Sequence, residues 1–200
     1  MHDPNRLRRE TRRKRNALSA REQALHSAAF AARFRELGLM LRTQRIAAYL
    51  ANNGELDPVS LFDDIRRRKK QLYLPVLRPH PQKKLWFIRY READPLAANR
   101  FGIPEPPVTH HDIRLPWALD LILVPLVAFD ARCNRLGMGG GFYDRTLNYL
   151  RFRKHWRSPI LVGVAHECQR VPELPPRPWD VPLDMVITEQ TVYRRRRTEP

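Results

Sequence analysis

Residues 119–124 read Leu119-Asp120-Leu121-Ile122-Leu123-Val124, the most apolar stretch of the chain, with one charge inside it. Six residues are too few for a buried helix, and a half-exposed strand would alternate apolar with polar side chains. Such a run fits a central parallel strand covered on both faces. Strand-like and helix-like segments alternate around it. Upstream, residues 45–50 read as a strand, closed by the turn Asn52-Asn53-Gly54. Asp57-Pro58 reads as a helix N-cap with proline at the first helical position. Leu61, Phe62 and Ile65 give that helix its apolar side, and 72–77 and 85–90 are further strands. Downstream, 141–151 reads as helix, 160–165 as strand and 185–188 as a short last strand. The pattern predicts an α/β fold: a three-layer single domain with a largely parallel central sheet flanked by helices.

The N-terminal part is helical by other signals. Ser19-Ala20-Arg21-Glu22 is a capping box. Phe30, Phe34, Leu37 and Leu41 then recur at helical spacing as one buried stripe, with Gly38 at its end or bend. Residues 1–18 read as a strongly basic helix. Ile103-Pro104-Glu105-Pro106-Pro107 is an extended connection, because proline removes donors and fixes φ. Residues 192–200 read as a loose tail. No internal repeat or linker divides residues 1–200, so one domain is expected.

Composition bounds the function. The apolar fraction is 42%, ordinary for a globular chain. No stretch approaches the ~20 apolar residues of a membrane span. The basic start has no apolar run behind it, against a secretory signal. Cys133 and Cys168 form no CxxC pair, which favours a reducing compartment, so a cytoplasmic protein is expected. The formal charge of +16 is open to three readings. It could bind nucleic acid, steer a polyanionic ligand such as ATP or a polyglutamate, or be a solvated arginine-rich surface. The basic runs at 6–15, 66–70 and 194–197 carry no interleaved aromatics to stack bases, which weighs against nucleic acid.

Ligands of open α/β sheets sit outside the carboxyl ends of the strands. The loop after 119–124 is therefore the place to look. It runs Pro125-Leu126-Val127-Ala128-Phe129-Asp130, then Arg135-Leu136-Gly137-Met138-Gly139-Gly140-Gly141-Phe142-Tyr143-Asp144. Four of the eight glycines fall within 137–141. Glycine permits positive φ and close backbone approach, so successive N–H groups can converge on an anion, helped by the following helix start. Arg135 adds a forked cation suited to phosphate. Asp144 adds a carboxylate suited to Mg²⁺. Together they suggest a nucleoside triphosphate with its metal. The loop is neither a Walker A sequence nor G-x-G-x-x-G. A tight turn that needs several glycines is the plainer alternative.

The segment from Asp120 to Leu147 closely resembles the 5-formyltetrahydrofolate cyclo-ligase (methenyltetrahydrofolate synthetase) family, and looks most like its enterobacterial-type members. Weaker resemblance follows in order along the chain. It includes Gly54-Glu55-Leu56-Asp57, Tyr73-Leu74-Pro75-Val76, Phe101-Gly102-Ile103-Pro104-Glu105-Pro106 and Trp179-Asp180-Val181-Pro182. The resemblance implies an ATP- and Mg²⁺-dependent ligase of folate metabolism. It would phosphorylate the formyl oxygen of 5-formyltetrahydrofolate and close the ring through N10, releasing ADP and phosphate. Arg135, Leu136, Gly137, Met138, Gly139, Gly140, Gly141, Phe142 and Tyr143 would hold ATP, together with Arg8. Arg135, Tyr143 and Asp144 would serve catalysis, and Asp144 and Asp180 the metal. Leu50, Glu55, Phe101, Met138 and Phe142 would face the folate, polyglutamylated or not, and a monomer is expected. The chain departs from the family at Pro4, where a lysine or arginine usually binds ATP, and at Trp179, where many members have histidine.

Each of these residues has an ordinary alternative. Glu55 and Asp180 suit solvated turns, and Tyr143 and Phe101 suit core packing. His110 and His111 are adjacent and do not converge on a metal. His166 reads as a satisfied loop histidine. Cys133 has no histidine beside it and reads as incidental. The rival functions are an RNA-binding protein and a folate-binding module without turnover.

Overall fold

The structure is a computed structural model that describes residues 3–78, 83–152 and 158–196. The chain opens with α1 (Pro4–Asn16), α2 (Ala20–Glu36), β1 (Arg45–Ala47), α3 (Ser60–Arg67), β2 (Gln71–Leu77) and β3 (Leu85–Arg89). A small ribbon, β4 (Ala97–Ala98) and β5 (Pro104–Glu105), precedes β6 (Ile113–Arg114) and β7 (Leu121–Pro125). A second ribbon, β8 (Ala128–Phe129) and β9 (Arg135–Leu136), leads into α4 (Phe142–Leu147). The chain then adds β10 (Ile160–Val164), β11 (Met185–Ile187) and β12 (Val192–Arg194).

Eight strands form one sheet in the order β12-β11-β10-β7-β1-β2-β3-β6. Pairing is parallel from β11 through β2, and antiparallel at β12, β3 and β6. β7 sits between β1 and β10, as its apolar run predicts. Its side chains alternate between two cores. Leu121 and Leu123 pack with Phe30, Phe34, Leu61 and Ile65 under α2 and α3. Ile122 and Val124 pack with Leu147, Leu150 and Phe129 on the opposite face. The charge beside the run is structural. The Asp120 carboxylate accepts from the backbone N–H groups of Gln44 and Arg45, at 2.8 and 2.7 Å, and so fixes the start of β1 against β7.

The capping box at Ser19 is formed with both its hydrogen bonds, and Gly38 ends the helix region in a left-handed conformation. The predicted stripe holds for Phe30 and Phe34 and fails at its end. Leu37 is half-buried and Leu41 is 76% exposed, because the chain turns at Gly38 into a short 3-10 turn that re-aims the side chains. α3 begins at Ser60, and Asp57 still caps that turn by accepting from the Val59 N–H. The predicted tail is also corrected. Residues 192–194 form β12 along β11, and the Arg195 N–H donates to the Asp184 carbonyl. Within 103–107, Pro104 and Glu105 run extended, as expected, and pair with 97–98. Among the described residues no helix is long and apolar enough to cross a membrane.

The order of the parallel strands reverses between β1 and β7. β2 follows β1 on one side, while β10 and β11 follow β7 on the other. A crevice at the carboxyl ends of such a pair is the usual ligand position in open sheets.

Candidate active site

A cleft of about 490 Å³ opens at that reversal. Its floor is the residues that leave the strands: Tyr49 and Leu50 after β1, Leu77 at the end of β2 and Pro125 at the end of β7. The size and largely apolar lining suit a drug-sized ligand. One wall is the turn 52–55. Asn53 and Gly54 both have positive φ, at 51° and 75°, and the Glu55 N–H donates to the Asn52 carbonyl at 3.1 Å. This is a turn with two left-handed central residues, which an Asn-Gly pair favours. It points Glu55 into the cleft. The opposite wall carries Phe101, packed edge-to-face on Phe142 with centroids 6.1 Å apart. The ribbon holding Phe101 is anchored by Glu105, whose Oε1 accepts from the Leu77 N–H at 3.0 Å and the Asn99 side chain at 2.7 Å.

The glycine loop separates this cleft from a smaller one of about 150 Å³. Arg135, Gly137, Gly141 and Asp144 line both. Pro4, Leu7, Arg177, Trp179 and Asp180 line only the smaller. The buried carboxylate of Asp130 organises the approach to the loop by accepting from the backbone N–H groups of Arg132, Asn134 and Leu174, each at 3.0 Å. Gly139 and Gly141 then take φ of 103° and 65°, which a side chain would strain. The Gly137 carbonyl accepts from Arg8 Nε at 2.9 Å, and the Gly140 carbonyl from Arg145 Nη1 at 2.6 Å. In a planar trans peptide the next residue's N–H points the other way. The Met138 and Gly141 amides therefore face away from those arginines. Among the described residues, no hydrogen bond is donated by the backbone amides of 137–141. Unpaired amides beside a cavity are ready anion donors. α4 spans only six residues, so the predicted help from a helix start is small and the loop amides carry this capacity.

Arg135 is almost wholly buried. It donates to the Val181 carbonyl and to Asp144 Oδ1. Asp180 Oδ2 accepts from the Arg177 N–H at 2.9 Å. Burial, with the Glu55 carboxylate second, holds the Tyr143 hydroxyl far above its usual range, so it is a proton-bearing donor at neutral pH. Burial likewise raises the Glu55 carboxyl, and the Arg15 guanidinium opposes that rise.

All the predicted contact residues border these clefts except Arg8, which reaches the loop through Gly137. Pro4, where the family resemblance leads one to expect a cation, lines the smaller cleft. Cys133 is buried with its thiol pushed up to about 11, which fits no nucleophile. The sequence reading passed over Arg15 and Arg177. Arg15 is fully buried, and its Nη2 donates to the Asn53 carbonyl at 2.7 Å, pinning the Glu55 turn. Arg8, Thr11 and Arg15 share a helix face at spacings of three and four. That polar stripe was the available signal, and a search for apolar periodicity skips it.

A model of the 5-formyltetrahydrofolate cyclo-ligase family matches residues 1–189. The 5-formyltetrahydrofolate cyclo-ligase of Escherichia coli K12 is 38% identical over 182 residues, covering 91% of this chain and 98% of that protein. The protein of the same name from Haemophilus influenzae is 41% identical over 181 residues, covering 88% and 92%. The NMR structure of Aquifex aeolicus 5,10-methenyltetrahydrofolate synthetase superposes with a TM-score of 0.81 at 32% identity, covering 98% of this chain and 95% of that one.

Proposed function

This chain belongs to the 5-formyltetrahydrofolate cyclo-ligase family, and we propose that it converts 5-formyltetrahydrofolate to 5,10-methenyltetrahydrofolate with one ATP. The supporting observation is the shared wall. One loop of unpaired amides borders an apolar cleft carrying Glu55 and Phe101, and also a smaller cleft carrying Asp144 and Asp180. A pterin suits the first and a triphosphate the second.

In this reading the formyl oxygen attacks the terminal phosphorus and ADP leaves. N10 then bonds to the formyl carbon and loses its proton to water. The carbon–oxygen bond breaks, phosphate departs with the former formyl oxygen, and the amidinium of the product remains. An amide-like oxygen is a poor leaving group, and phosphorylation makes it a good one. The protein's task is chiefly to align two reactants and to neutralise charge. The loop amides face the phosphates, and Arg8 holds the loop in place through the Gly137 carbonyl. The Tyr143 hydroxyl donates to the oxygen in transfer, and Glu55 accepts from the pterin N–H groups. Phe101, Phe142, Met138 and Leu50 flank the ring system.

Asp144 and Asp180 present hard carboxylate oxygens to one cleft, a donor set that suits Mg²⁺ completed by phosphate and water. When bound, the ion neutralises phosphate charge. The net charge of +16 would draw both ATP and a polyglutamate tail toward the protein.

The test is turnover. Purified protein with ATP, Mg²⁺ and 5-formyltetrahydrofolate should accumulate the methenyl product's near-ultraviolet absorbance. No product at saturating substrates contradicts the assignment.

A further inference from the structure

Outside both clefts, His26, His166 and Glu189 bring three donor atoms within 4.8 Å of one another. His26 lies on α2, His166 follows β10 and Glu189 follows β11. None has a part in the reaction above. His166 is fully buried, while the His26 side chain keeps 23% exposure and Glu189 8%. The ring nitrogens are assigned by their partners. His166 Nε2 lies 3.2 Å from the Gly54 carbonyl, which only accepts, so Nε2 carries the proton and Nδ1 the lone pair. That lone pair faces His26 Nδ1 at 2.9 Å. Glu189 Oε2 accepts from the Glu167 N–H at 3.0 Å, which leaves Oε1 facing His26 Nδ1 at 3.8 Å.

We propose that His26, His166 and Glu189 form a binding site for a divalent cation of the Zn²⁺ class. Two imidazole nitrogens and one carboxylate are a donor set for borderline metals, with water completing the shell. A backbone carbonyl on the far nitrogen of a ligand histidine is the usual outer-shell arrangement, and Gly54 supplies it here. With its proton on Nε2, His166 presents the Nδ1 lone pair to the cluster. On binding, the His26 ring proton moves from Nδ1 to the other ring nitrogen, and both Nδ1 lone pairs turn to the cation. The ion would tie α2 to the turns after β10 and β11. Through Gly54 it would also brace the turn that carries Glu55.

Co²⁺ is the probe. It is titrated into the full chain without nucleotide while visible absorption is followed. A site with two imidazoles and low coordination number gives intense bands, whereas carboxylate-and-water sites such as Asp144 with Asp180 give only pale ones. The expected result is an intense band that saturates at one equivalent and is bleached by Zn²⁺. His26→Ala and Glu189→Gln should each weaken Co²⁺ binding by at least about tenfold. His26 is partly exposed, so its variant should fold, which circular dichroism checks; Glu189→Gln keeps shape and is read independently. The absence of an intense band in the parent overturns the proposal. So does a loss smaller than tenfold in the folded variants.

Discussion

Arg135 donates through Nη2 to Asp144 Oδ1 across the base of the glycine loop, while its Nη1 holds the Val181 carbonyl. The cation and the carboxylate that border both clefts are thus held together before any ligand arrives. Pairing solves a folding problem, since a nearly buried guanidinium without a partner would be costly. It also fixes both groups at the loop, where a metal-bound phosphate chain would need them.

Asp144→Asn keeps the side-chain shape and an acceptor for Arg135 but removes the charge. Turnover should fall by ~10²–10³, the scale of losing one preorganised electrostatic group. The thermal midpoint should move by no more than about 4 °C. Steady-state kinetics and a melting curve check this, and full activity would remove the role assigned to Asp144.

Arg8→Ala deletes the guanidinium that donates to the Gly137 carbonyl. A hydrogen bond from a charged group contributes ~1.5–3 kcal/mol, or about tenfold to a hundredfold in binding. The KM for ATP should rise on that scale while the KM for folate stays near the parent's. Equal rises in both would place Arg8 in general loop stability.

The Glu55 carboxyl is raised by burial, with Arg15 pulling the other way. Only its ionised form accepts from pterin N–H groups without giving up an oxygen. kcat/KM for folate should therefore drop as pH falls through its raised pKa, above the ordinary carboxylate value. Glu55→Gln should remove that acid limb. Arg15→Met takes away the opposing cation and should move the limb to still higher pH. The stability sign is the reverse of a salt-bridged acid. A raised carboxyl favours folding below its unfolded pKa and loses that contribution as pH rises through the raised value. Melting curves of Glu55→Gln against the parent should diverge in the variant's favour as pH rises, and a limb that stays fixed in Arg15→Met contradicts the coupling.

Phe101 is 55% exposed and rests edge-on against Phe142. Its loss should cost little stability because it leaves no cavity. Phe101→Ala should raise the KM for folate about tenfold, near the ~1–2 kcal/mol of one aromatic contact surface. Fluorescence titration with folate and a melting curve separate binding from folding.

How far the sequence carries the reading can be traced through particular residues. Residues 121–124 announced a covered parallel strand because apolar continuity over so short a span admits few other environments. Ser19 and Glu22 announced a helix start through local hydrogen bonding alone. The glycine loop was legible because positive φ has a chemical marker. Leu41 was misplaced because helical spacing was continued past Gly38, where the backbone changes hand. Residues 192–194 looked like a tail because β12 is an edge strand whose pairing depends on β11, which local pattern does not reveal. Arg15 was missed for a similar reason: its burial is created by the 52–55 turn arriving from elsewhere in the chain. Residues 197–200, part of the expected tail, lie outside the described residues.

The central claim is that the formyl oxygen bonds to phosphorus over the amides of 137–141 and then leaves the formyl carbon as part of the released phosphate. Substrate carrying oxygen-18 in its formyl group tests this in a single turnover. The released inorganic phosphate should contain one labelled oxygen, read by mass spectrometry, and the methenyl product none. Unlabelled phosphate formed alongside product would mean that the oxygen leaves by another route, and would contradict the account.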